Sequence, residues 1–75
     1  MNVEILETGY KCIDSGFFLI KEETGQFYVH IATWKPFDKA VEEANKLARK
    51  IKGQYIVARK KNGSGDIYKA VERSY

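Results

Sequence analysis

Apolar and polar positions follow two different periods along this chain. From about residue 36 to 52, Phe37, Ala40, Val41, Ala44, Leu47, Ala48 and Ile51 recur every three or four residues, and the positions between them are mostly charged. One apolar stripe with a 3.6-residue period predicts an amphipathic helix. Pro36 suits its first turn, where no backbone donor is needed. Asp38 complements the positive end of the aligned peptide dipoles, and Arg49, Lys50 and Lys52 the negative end. Gly53 is placed to close the helix in a left-handed conformation. Glu42 and Lys46 are spaced for a helical ion pair.

On either side of the helix the period is two. Phe18 and Ile20 alternate with Leu19 and Lys21, and Phe27, Val29 and Ile31 alternate with Tyr28, His30 and Ala32. The polar Glu22-Glu23-Thr24-Gly25 between them predicts a hairpin. Residues 3–7 and 10–13 read as two shorter strands, and Asp14-Ser15-Gly16 as a turn. Residues 55–59 and 67–71 form a second hairpin about Asn62-Gly63-Ser64-Gly65. The expected fold is α+β over a single domain, 1–75: an antiparallel β-sheet with one helix packed on one face, in the order strands, helix, strands.

One helix covers one sheet face. Alternation turns Phe18, Ile20, Phe27, Val29 and Ile31 toward the helix, and Phe17, Leu19, Tyr28 and His30 toward the far side. Either Tyr55 and Val57 or Ile56 and Ala58 join that far face. It needs a cover, which the N-terminal strands, a homodimer interface or a protein partner could supply. One functional reading follows: a protein-binding or inhibitory module whose partner or dimer face is Phe17, Leu19, Tyr28 and His30.

Charge adds a second reading. The 75 residues sum to +3, but unevenly. Residues 1–34 hold two lysines against five acids, whereas residues 35–61 hold nine basic residues against three acids. Arg49, Lys50 and Lys52 crowd the end of the helix, and Arg59, Lys60 and Lys61 lead into the second hairpin tip. Such clusters beside aromatic strands suit nucleic acid or a nucleoprotein, although the aromatic motifs of single-strand platforms are absent from the sequence. A solvated, lysine-rich surface is the plainer account.

Chemistry finds little to work with. His30 is the one histidine and Cys12 the one cysteine, and no triad partner is fixed for either. Together they cannot provide the usual zinc ligand set, so no metal and no cofactor is expected. The glycine-rich stretch 62–66 joins two strands and lacks the Gly-Lys-Ser/Thr ending of a phosphate loop. Glu22 and Glu23 are adjacent on a hairpin tip, pointing apart. An enzyme is not expected. A lone cysteine excludes an internal disulfide, and there is no apolar run of membrane-spanning length or signal peptide, so the expected compartment is cytoplasmic.

Two resemblances accompany these readings. The run Trp34-Lys35-Pro36-Phe37-Asp38-Lys39-Ala40-Val41-Glu42-Glu43-Ala44, then Leu47-Ala48 and Gly53-Gln54-Tyr55-Ile56-Val57, resembles a small uncharacterised bacterial domain family. That likeness implies a strand-helix-strand unit over residues 34–57 and no activity. Gly25-Gln26-Phe27-Tyr28-Val29-His30-Ile31 with Lys39-Ala40-Val41-Glu42-Glu43-Ala44 is similar to the strand-and-helix core of HicB-type antitoxins, which implies a protein partner and often DNA. Both resemblances imply a binding module.

Overall fold

Two hairpins and one helix form from the segments whose periodicity predicts them. The computed structural model describes residues 3–7, 11–14 (backbone only) and 18–72. In chain order the elements are β1 (Val3–Leu6), β2 (Lys11–Asp14), β3 (Phe18–Lys21), β4 (Gln26–Trp34), α1 (Phe37–Lys50), β5 (Tyr55–Arg59) and β6 (Gly65–Val71). The six strands lie in the order β1-β5-β6-β4-β3-β2. The α+β expectation holds, but the sheet is mixed rather than purely antiparallel. Strand β1 pairs parallel with β5, Val3 opposite Tyr55 and Leu6 opposite Ala58, while all other pairs are antiparallel.

Local chemistry explains the turns. Gly25 ends the β3–β4 loop at φ 67° and its N–H donates to the Lys21 carbonyl at 2.8 Å. In the β5–β6 loop Gly63 has φ 82°, and Asn62 Oδ1 accepts from the Ser64 N–H at 3.0 Å and from its hydroxyl at 2.6 Å. Both positions need the left-handed region that glycine enters without steric cost. Helix α1 differs from expectation at its end. It stops at Lys50, and Ile51 caps it in extended backbone, its N–H donating to the Leu47 carbonyl. Gly53 is not left-handed, since among the described residues only Gly25 and Gly63 have positive φ.

The apolar stripe of α1 buries Ala40 and Ala44 against Tyr55, Val57 and Ile67, with Val3, Ala32, Trp34, Phe37, Val41, Leu47 and Ala48 packed around them. Gly65 sets the closeness of this contact. A Cβ there would lie 2.8 Å from Ala40 Cβ and 3.2 Å from both Phe37 and Val57. The helix therefore sits directly on backbone at its N-terminal end.

The far face is also buried, by a different device. Leu19 and Ile56 are each 1 % exposed and Tyr28 4 %, with Leu6, Tyr68 and Ala70 packed on them. No helix lies there. The sheet covers itself by curling. Strands β1 and β2 occupy opposite edges, which in a flat six-stranded sheet would stand about 24 Å apart. They are consecutive in the chain, and five peptide steps from Leu6 to Lys11 reach at most about 18 Å. An ion pair agrees with this: Lys21 of β3 reaches Glu4 of β1, although three strands lie between them. The result is a partly closed barrel, with Leu19, Tyr28 and Ile56 inside and α1 outside.

Candidate functional site

The six sequence-predicted cations separate into two groups. At the N-terminal end of α1, Arg59 lies over the Phe37 ring, 4.0 Å from its centroid. Lys60 donates to Asp66 Oδ2 at 2.8 Å, and the Asp66 side chain is only 5 % exposed. Asp66 stands beside Ala58 and Thr33 on the concave face, and its Oδ1 is buried with no hydrogen-bond partner among the described residues. Lys60 thus compensates a buried charge. Lys61, the third of this trio, is exposed at the loop tip.

Arg49, Lys50 and Lys52 project at the opposite end of α1. Fourteen residues at 1.5 Å each put the ends about 20 Å apart, so the two groups do not form one patch. A fourth cation joins the C-terminal group. Lys69 of β6 stands between Tyr55 and Val29 on the helix side of the sheet, and its Cε lies 3.2 Å from where a Gly53 Cβ would be. Its side chain therefore runs toward the helix end. Sequence reasoning missed Lys69, although the order Ile67, Lys69, Val71 on one face signals where that face meets water.

Beyond Lys69 the convex face continues over β4 and β3. Pairing sets Lys69, Val29 and Phe18 in one row, and Val71, Phe27 and Ile20 in the next. The expected face is right, but α1 packs only on β6, β5, β1 and β4 and does not reach β3. These six side chains are half-buried instead of enclosed. Ile31, also expected against the helix, is 45 % exposed. A bulge between His30 and Ala32 inserts one residue, so Ala32 and Trp34 take the helix-facing places.

The residues of the expected partner face are placed differently from one another. Leu19 and Tyr28 are buried on the concave side. Phe17 lies outside the described residues. His30 is half-buried on the concave side, edge-on to Tyr68 at 5.1 Å, with Nε2 3.1 Å from Thr33 Oγ1. Burial pushes the Tyr28 hydroxyl pKa up, partly offset by the Lys21 charge. The hydrogen bond to Glu4 raises that of Lys21. Among the described residues no group of three or more His, Cys, Asp or Glu side chains could hold a metal ion, and no helix is long and apolar enough to cross a membrane. The Cys12 side chain lies outside the description. Helix α1 carries Lys46 3.8 Å from Glu42 and 3.6 Å from Glu43, exposed pairs worth about 0.3–0.5 kcal/mol.

No family model matches the chain, and neither does any curated protein or solved structure. The geometry alone carries the functional argument.

Proposed function

We propose that this protein is a small non-enzymatic binding module that contacts nucleic acid through the cations gathered at the C-terminal end of α1. The supporting observation is the approach of the Lys69 side chain to Gly53, the residue next to Lys52 and just past the last turn of α1, which carries Arg49 and Lys50. Four cations from two elements at one end of the molecule make a charge concentration that no described acidic side chain neutralises through an ion pair. Arg59 and Lys60 serve the fold more than a ligand, because each has an internal partner. The alternative, a protein-binding or homodimeric module using Phe17, Leu19, Tyr28 and His30, loses support because Leu19 and Tyr28 are enclosed.

Neutralised phosphates release counterions, so affinity falls with salt. Four phosphate contacts give a slope of log K against log salt of about −3 on a single strand. Fluorescence anisotropy with mixed-sequence DNA and RNA should show this slope, and Lys50→Glu with Lys52→Glu should flatten it by about half. Absence of binding at about 50 mM salt, or a slope unchanged in the double variant, overturns the reading.

A further inference from the structure

We infer that Asn62 is a self-modifying site: the backbone nitrogen that follows it converts its amide to an acid, and the β5–β6 turn speeds the step. Asn62 is exposed at the loop tip, so water and hydroxide reach it. The next residue, Gly63, has no side chain to shield its nitrogen, and open space lies where a Cβ would stand. The Gly63 N–H gives its proton to hydroxide, the nitrogen bonds to Asn62 Cγ, and the Cγ–Nδ2 bond breaks. The leaving nitrogen takes a proton from water and departs as ammonia, which restores the hydroxide. A second water opens the cyclic imide at either carbonyl, leaving an aspartyl or an isoaspartyl residue. No oxidant, reductant or cofactor takes part.

The turn holds the oxygen on which charge builds. When the nitrogen adds to Cγ, Oδ1 becomes an oxyanion. Ser64 already aims two donors at that atom, its backbone N–H at 3.0 Å and its hydroxyl at 2.6 Å. Donors set in advance on a developing oxyanion are a main source of rate in acyl transfer. Ser64 is 7 % exposed, so water competes little for these bonds. One contact opposes the step. The Gly63 N–H donates to the Lys60 carbonyl at 3.0 Å and must let go before the nitrogen attacks. That is a single neutral bond at an exposed tip, whereas both bonds to Oδ1 become charge-assisted, and such bonds are roughly twice as strong. The balance favours reaction. The new carboxylate follows Lys60 and Lys61 directly, and an isoaspartyl link lengthens the main chain inside the turn that Lys60 N–H and the Ser64 carbonyl close at 2.9 Å. Asn45 lacks this setting, since Lys46 follows it within α1. The turn lies beside Gly65, which packs on Phe37 and Ala40 at the start of α1, so the inference does not depend on the cations at the helix's other end.

Incubation of the full chain at mildly alkaline pH tests this, with cation exchange to separate the more acidic product and peptide mapping to place the change. The folded chain should accumulate aspartyl and isoaspartyl product at residue 62, faster as hydroxide rises, with Asn45 intact. Unfolding in guanidinium chloride removes the turn and should slow conversion at least about threefold. Ser64→Ala deletes the hydroxyl donor, so it should slow the folded chain by about twofold or more and leave the unfolded rate unchanged. Asn62→Gln would need a larger ring and should give no product. Conversion slower in the folded chain than in the unfolded one shows that the Lys60 bond guards the nitrogen, and it overturns the inference. A folded Ser64→Ala chain that reacts as fast as wild type overturns it too, as does product mapped to another residue. If Ser64→Ala does not fold, the comparison of folded with unfolded wild type still decides.

Discussion

Neighbouring residues of one strand meet opposite fates in this molecule. Leu19 of β3 is 1 % exposed on the concave side, whereas Ile20 beside it is half-buried on the convex side. The helix accounts for neither. It packs on the convex face of β5, β6, β1 and part of β4, while the concave face is enclosed by the sheet's own curl. A small α+β domain thus has two means of covering a sheet, and the one that needs no second layer leaves the outer wall of β3 and β4 bare of helix. A half-buried apolar strip therefore arises on the side where the helix lies, not on the side it lacks.

The sharpest test of this contrast is truncation on either side. Leu19→Ala should cost about 3 kcal/mol, because it opens a cavity in an enclosed cluster. Ile20→Ala should cost about 1 kcal/mol. Urea denaturation reads both, and equal costs would abolish the distinction between the faces. The two helix ends give a second pair. Lys60→Met strands the Asp66 carboxylate in a buried site and should cost about 2 kcal/mol, less than for a fully enclosed pair because the Lys60 side chain is 47 % exposed. Lys50→Met should change stability by no more than about 0.5 kcal/mol. If Lys60→Met is equally mild, the hairpin cations serve the surface after all.

Alkali should act on the concave side in particular. Tyr28 and Lys21 both hold their protons more tightly in the folded chain than their ordinary values of 10.0 and 10.5 imply. A raised folded pKa means that the stability from each is complete below its ordinary value and is lost as pH rises through the folded one. The urea midpoint should therefore fall between pH 9 and pH 11. Tyr28→Phe, which has no proton to lose, should retain more of its pH 9 stability at pH 11. Arg59→Ala should cost about 0.5–1 kcal/mol for the lost contact with Phe37, seen in a thermal melt.

Much of the fold was legible, because the informative signals were local. The stripe of α1, the Gly25 turn and the Asn62-Gly63 turn each depend on a few adjacent residues. What was missed depends on distance. Nothing near Val3 announces a parallel partner at Tyr55, and the pattern around Ile31 reads as unbroken alternation although the backbone inserts a bulge there. Whether a sheet face is open depends on distance in the same way. Leu19 and Tyr28 were assigned to the correct side, but curvature is a property of the whole sheet and decides whether that side is open. The cations were found by counting. Lys60 was given to a ligand because its buried partner Asp66 looked like an ordinary turn residue.

The pairing of β1 with β5 also sets a timetable. The hairpins β3–β4 and β5–β6 join segments close in sequence, and α1 needs only its own residues to begin. Strand β1 must wait for Tyr55 to Ala58, so its ladder closes a loop containing most of the chain. Contacts of such separation form late and slow the approach to the native state. During synthesis β1 is made before β5 and must wait for it, and until β1 docks the flank of β5 stays available to any other extended segment that finds it.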